Sequence, residues 1–182
     1  MTAPDTVPTG VAPIEPLYHR VLAGSADLTF GLVGERLGHS HSPRIHELLG
    51  SVPYERVEVP RDEVGEFFAV RRYRGLNVTI PYKCDAARAA DVCSEAVERL
   101  GNANTLVVRE DGTLFADNTD YHGFSRQLDL IHANVAGQVC LVLGDGGAAA
   151  TVRAVLADRG ASLVVSASRK GELTFAALAG DD

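Results

Sequence analysis

The feature that most restricts the fold of this 182-residue chain is a regular alternation, from Leu28 onward, of short apolar runs with amphipathic ones. "LTFGLVG" (28–34), "YERVEV" (54–59) and "LNVTI" (76–80) read as strands, being brief, apolar or of period two. Between them "SPRIHELLG" (42–50) reads as a helix, with Ser42 as N-cap, Pro43 at the first helical position and Gly50 just past the end. "RDEVGEFFAVRRY" (61–73) has helical spacing, and Pro81 opens another helix in "PYKCDAARAAD". "SEAVERLG" (94–101) carries a Ser94…Val97 cap spacing without its acidic member and is also read as a helix. "ANTLVVRE" and "TLFADN" form a hairpin turning at Asp111–Gly112, followed by a helix from about Thr119 to His132. "GQVCLVLG" (137–144), "AAATVRAVLADRG" (148–160) and "ASLVVSAS" (161–168) then make a strand–helix–strand unit. Such alternation implies an α/β protein with largely parallel sheets.

The character of the chain changes near 125–137, which divides it into residues 25–125 and residues 126–182. Four of the eight prolines fall within the first sixteen residues, so residues 1–24 read as a flexible tail. The formal net charge of −7 opposes nucleic acid or an anionic membrane surface as a partner, although a local basic pocket for a small anion remains compatible with it. No apolar stretch approaches the roughly 20 residues needed to span a bilayer, and the N-terminus lacks the basic and apolar regions of a signal peptide. Cys84, Cys93 and Cys140 are odd in number and have no metal-ligand spacing, as reduced thiols of a cytoplasmic protein would.

"VLGDGGAAATV" sets Gly144, Gly146 and Gly147 between an apolar strand and a helix. A dinucleotide site needs that order: a tight turn, close approach of backbone to pyrophosphate, and a free helix N-terminus. The third glycine of the usual spacing is Ala149, small enough to pack helix on strand. Asp145 is awkward beside a phosphate unless it points away. An NAD site expects an acid about 20 residues on. Here the next strand ends in Ser168, Arg169 and Lys170, which suit the 2′-phosphate of NADP or else form a solvated basic turn.

In "LGHSHSP" (37–43), His39 and His41 alternate like a metal pair with His46 nearby, but no carboxylate or thiolate completes a ligand set. Ser40 and Ser42 share the other face of that extended segment and lead to a helix N-terminus, an arrangement suited to a carboxylate.

Of seventeen basic residues only Lys83 and Lys170 are lysines. Lys83 ends an apolar run, and lysine, unlike arginine, can surrender its proton when partly desolvated. It is either a proton-exchanging group or a solvent-facing lysine in a first helical turn. Asp120 opens the helix after the hairpin, where an acid is commonly a dipole partner. Asn104, Thr105, Asn118 and Thr119 make its surroundings dense in small polar groups.

Taken in order, "GHSHSP", "LNVTIPYK", "GNANTL", "DNTDYHGF" and "VLGDGGAAATV" resemble the shikimate dehydrogenase family over about residues 30–170. The resemblance implies an N-terminal three-layer α/β/α substrate-binding domain followed by the first part of a Rossmann NADP-binding domain. It implies NADPH-dependent reduction of 3-dehydroshikimate to shikimate, in the pathway to the aromatic amino acids. Ser40 and Ser42 would hold the substrate carboxylate, and Asn77, Thr79, Asn104 and Asp120 the ring hydroxyls. Lys83 and Asp120 would be the catalytic pair. Gly144, Gly146, Gly147, Ala148, Ser168, Arg169 and Lys170 would hold the cofactor. Alternative readings are a quinate/shikimate dehydrogenase and a non-catalytic module for shikimate-like acids. Family members run on past the position of Asp182, through strands beside the nicotinamide and a helix bearing a substrate-binding glutamine. The chain is therefore expected to be a fragment or a truncated relative, to stop two strands into its second sheet, and to bind shikimate weakly without sustained turnover. Its uncovered strand edge would favour a homodimer.

Overall fold

A computed structural model describes residues 15–50 and 52–180. The first of its two sheets comprises β1 (Leu28–Gly34), β2 (Tyr54–Glu58), β3 (Tyr73–Val78), β4 (Val92–Cys93), β5 (Thr105–Val108) and β6 (Leu114–Asp117), in the order β2-β1-β3-β5-β6-β4. β5 runs antiparallel to both its neighbours, while β1 pairs in parallel with β2 and β3, and β4 with β6. The carboxyl ends of β1, β3 and β6 and the start of β5 therefore meet along one edge. Ligands of open α/β sheets bind along that edge.

Helices α1 (Leu17–Leu22), α3 (Val64–Ala69) and α4 (Lys83–Ala89) cover one face of this sheet. Their apolar side chains join Val33, Val57, Leu76 and Val78 in a core around Phe67, Phe68 and Tyr82, all three fully buried. Burying an aromatic of this kind stabilises the fold by about 1.5–3 kcal/mol. α2 (Ser42–Leu48) contacts β2 from the other side: its His46 ring stacks on Tyr54, whose register partner Phe30 pairs in turn with Gly75. Helix α5 (Glu95–Leu100) starts at Ser94, whose hydroxyl accepts from Val97 N, the cap that its sequence spacing announced.

The second sheet is parallel throughout, in the order β7-β8-β9, from β7 (Val139–Leu143), β8 (Leu163–Ser168) and β9 (Leu173–Thr174). Helix α7 (Gly147–Asp158) covers one face through Ala149, Val155 and Leu156, and α6 (Thr119–Leu130) packs on α7. Val139, Leu141, Leu143 and Leu163 remain exposed. A short α8 (Phe175–Ala179) follows β9. No described helix is long and apolar enough to cross a membrane.

Several expectations are corrected. The expected tail over residues 1–24 gives way to α1 at Leu17, because Tyr18 and Val21 bury against α3; residues 1–14 lie outside the described part. Strand β3 begins at Tyr73 rather than Leu76. Arg71 takes a left-handed φ of 50° that ends the helical path, and Tyr73 then inserts into the core, donating its hydroxyl to Phe68 O at 2.8 Å. The second sheet has a third strand, β9, where two were expected. Only two residues long, β9 is too brief to show a period. The same holds for β4.

Candidate active site

Residues expected to act together gather at the shared edge of the first sheet. Gly34 closes β1, and a Cβ there would stand 2.9 Å from Thr79 Cγ2 and 2.7 Å from Leu37 Cδ2, so glycine lets the ends of β1 and β3 approach. Beyond it Ser40 and Ser42 face each other. Ser40 Oγ donates to Ser42 Oγ at 3.2 Å and accepts from Ser42 N at 3.3 Å. Both serines line a cleft of about 480 Å³ with His39, Arg36 and Thr79. His41, not Ser42, occupies the N-cap position, so Ser42 begins the helix itself. The N-cap, with φ −92° and ψ 0°, falls one residue earlier than the Ser-Pro pattern suggested.

Lys83 opens α4. Its position is fixed from both sides: Tyr82 donates its buried hydroxyl to Val59 O at 2.6 Å, and Lys83 O accepts from Ala103 N at 2.8 Å. Lys83 Nζ lies 2.6 Å from Asp120 Oδ2, with the lysine side chain 18% and the aspartate 42% exposed. An ammonium at a helix N-terminus meets an unfavourable dipole, whereas a carboxylate in a first turn meets a favourable one. The pair places Lys83 where only a carboxylate partner makes its charge acceptable.

Asn104 stitches this junction together. Its N–H donates to Asp117 O at 3.1 Å and its carbonyl accepts from Val78 N at 2.8 Å, which ties the ends of β6 and β3. Its side-chain Oδ1 accepts from Thr119 N at 2.9 Å and its Nδ2 donates to Thr119 Oγ1 at 3.0 Å, at the start of α6. Asn77 of β3 sits two residues before Thr79, in an adjoining groove of about 420 Å³ with Tyr54, Phe30 and Thr105.

Sequence reasoning missed what sets Asp120 in place. Asn118 is fully buried and donates to Asn102 Oδ1 at 2.7 Å and Asn102 O at 3.2 Å, while its own Oδ1 accepts from Asp120 N at 3.1 Å. The asparagine just before a helix was a visible cap signal for Asn118. Nothing local marked Asn102 as its partner.

The glycine turn comes close to the Lys83 side chain. A Cβ on Gly147 would lie 4.0 Å from Lys83 Cδ, and a Cβ on Gly144 or Gly146 would meet nothing within 4 Å. Gly144 has φ +131°, and its N–H donates to Ala167 O at 2.8 Å. Ala149 is buried against α7's own core, as the helix-packing position requires, while Asp145 and Ala148 are exposed. At the end of β8, Ser168 is buried and its Oγ accepts from Lys170 N at 3.4 Å. Arg169 and Lys170 are exposed around it.

Residues 32–106 match the family model for the shikimate dehydrogenase substrate binding domain. Shikimate dehydrogenase (NADP(+)) of Clostridium beijerinckii is 38% identical over 149 residues, covering 78% of this chain and 55% of that protein. The chain is similar to the shikimate dehydrogenase family over about four-fifths of its length. It spans about half the length of the curated family members it matches. Among solved structures, a chorismate mutase/shikimate 5-dehydrogenase fusion protein from Clostridium acetobutylicum superposes with a TM-score of 0.72 at 35% identity, covering 86% of this chain and 60% of that one. Shikimate 5-dehydrogenase from Thermus thermophilus, solved in complex with NADP(H) and shikimate, gives 0.68 at 33% identity, covering 79% and 56%. The paired serines, the Lys83–Asp120 pair and the glycine turn are thus set within the fold of this family.

Proposed function

We propose that the chain acts in the NADP-dependent interconversion of shikimate and 3-dehydroshikimate, within the pathway to aromatic amino acids. The observation that carries this reading is the junction at Lys83: its Nζ meets Asp120 at 2.6 Å while its stem lies beside Gly147 of the glycine turn. A pair able to exchange a proton therefore adjoins the turn suited to a dinucleotide. Residues 25–125 are the substrate side and residues 126–182 the cofactor side.

The cofactor side fits NADP. The open space at Gly144 and Gly146 leaves room for phosphate beside the start of α7. Arg169 and Lys170 supply cations at the end of β8, where no carboxylate stands. When bound, the nicotinamide supplies or removes the electron pair at the alcohol carbon. On the substrate side, Ser40 and Ser42 offer two hydroxyls to the carboxylate, and Asn77, Thr79 and Asn104 contact the ring hydroxyls. Lys83 donates a proton to the substrate oxygen during reduction and takes it back during oxidation, and Asp120 stabilises the ammonium and orients it.

The cytoplasmic setting that this reading carries is supported by the free thiols of Cys84, Cys93 and Cys140. A homodimer through the uncovered second sheet is supported by exposed Val139, Leu141 and Leu143, and sedimentation measures it directly. The substrate reading is tested by calorimetric titration with shikimate. The chain should bind it, and Ser42→Ala should weaken binding about tenfold, as loss of a hydrogen bond to a charged group does. A chain that ignores shikimate would overturn the reading.

A further inference from the structure

Asn77 does not stand free at the edge of the sheet. Tyr54, two strands away in β2, reaches across β1 and donates its hydroxyl to Asn77 Oδ1 at 2.7 Å. The tyrosine ring is itself held by His46 of α2, with centroids 3.8 Å apart and planes within 8°. We infer that Tyr54 is a positioning residue, which locks the Asn77 carboxamide so that its Nδ2 faces the substrate and Asn77 contacts a ring hydroxyl only as a donor. This inference rests on the shikimate reading of the site.

A free carboxamide offers either an acceptor or two donors after a simple flip. A phenol hydroxyl with one proton removes that freedom by donating to the oxygen. Burial pushes the Tyr54 hydroxyl up to about 12, so it keeps that proton across the physiological range. The consequence is polarity in the site. Asn77 donates to a substrate oxygen, while the Asp120 carboxylate, which carries no proton when ionised, accepts. A hydroxyl serves both partners because it donates and accepts; a group that only donates would leave Asn77 Nδ2 facing another donor. Specificity built on buried hydrogen bonds discriminates far better than apolar fit. The stack adds a mechanical link. His46 lies one turn along α2 from Ser42, so the same short helix that presents a carboxylate-binding serine also braces the ring that orients Asn77.

Tyr54→Phe removes the hydroxyl and keeps the ring, its stack and its packing. Shikimate titrations of the full chain should show binding weakened about 3- to 10-fold, the scale of one net hydrogen bond. In an Asn77→Ala background the same change should cost nothing further, because Tyr54 then has nothing to orient. A role in packing alone would instead weaken binding equally in both backgrounds, and that outcome overturns the inference. A ligand-free readout separates this inference from the substrate reading. The Asn77 side-chain amide NMR signals should shift towards those of an unconstrained carboxamide in Tyr54→Phe. Unchanged amide signals overturn the inference and leave the substrate reading intact. Shifted amide signals in a chain that does not bind shikimate overturn the substrate reading, while supporting the Tyr54–Asn77 lock itself.

Discussion

Arg99, in the last turn of α5, holds the carboxylate of Asp158 at the end of α7 with both terminal nitrogens, Nη2 lying 2.6 Å from Oδ1. Tyr121 of α6 donates its hydroxyl to the same carboxylate. This cluster ties the first sheet to the second, and it sits on the helices that carry Asp120 and the glycine turn. The Arg99 hydrogen bonds, followed by that of Tyr121, hold the Asp158 carboxyl below its usual range. A carboxyl depressed in the folded state stabilises it above the unfolded value, near pH 3.9, and that contribution is lost as pH falls through the lower folded value. Asp158→Asn should therefore lower the Tm at neutral pH, and the gap from the unmodified chain should close below about pH 4. A gap that stays constant into acid would mean that the ionised carboxylate is not what joins these helices.

The Lys83–Asp120 contact makes a sharper claim about chemistry. In a full-length protein carrying this segment, Lys83→Met should cut turnover by about 10²–10⁴-fold, the usual value of general acid–base help, while the Kd for shikimate changes much less. Lys83→Arg should fail nearly as badly, since a guanidinium keeps its proton. Initial rates of NADP reduction with shikimate measure both variants. Near-normal rates for the arginine form would leave Lys83 as a charge and nothing more.

Lys83 and Asp120 were legible in the sequence because each sits at the boundary of an element whose type follows from local pattern. The strand before Lys83 and the hairpin before Asp120 set which edge of the sheet they share. The bond between Tyr54 and Asn77 was not legible in this way. It spans three strands, and its existence depends on the register that pairs Phe30 with both Tyr54 and Gly75. No spacing within the chain encodes that register. Asn102 was hidden for a related reason: its partner Asn118 lies across the hairpin, and a buried amide pair leaves no periodic trace. The start of β3 was misjudged because Arg72 and Arg74 flank Tyr73 like a solvated helix face, while the core claims the tyrosine between them.

The Asn102–Asn118 pair should matter more to stability than its position in a loop suggests. Asn118→Ala removes the acceptor for Asp120 N and deprives the buried Asn102 Oδ1 and Asn102 O of their donor, while Asn102 Nδ2 keeps its bond to Leu100 O. A lost helix cap costs about 0.5–2 kcal/mol, and an unsatisfied buried polar group about 1–3 kcal/mol. Chemical denaturation should show a loss within the combined span of these effects, larger than an exposed substitution would produce. Asn118→Asp keeps the cap but sets a buried carboxylate against two acceptors, so it should cost at least as much. If the alanine variant is as stable as the unmodified chain, water has replaced the pair and Asp120 is held by other means.

The proposed preference for NADP rests on Arg169. It stands exposed at the end of β8, next to Lys170, where a site for NAD would present a carboxylate to the ribose hydroxyl. Beside it, the buried Ser168 hydroxyl accepts from Lys170 N and keeps its own proton to donate. Arginine offers a planar fork that matches phosphate, whereas lysine offers a point charge. Arg169→Ala should therefore weaken NADP binding by roughly tenfold, the scale of a hydrogen bond to a charged group, while NAD binding changes little. Raising the salt concentration should narrow the difference between the two forms, because the lost contact is electrostatic and exposed. Calorimetric titration of the variant with each cofactor measures both effects. Equal losses for NADP and NAD would place Arg169 on a phosphate common to both, and the cofactor preference would then have to rest on Lys170 alone.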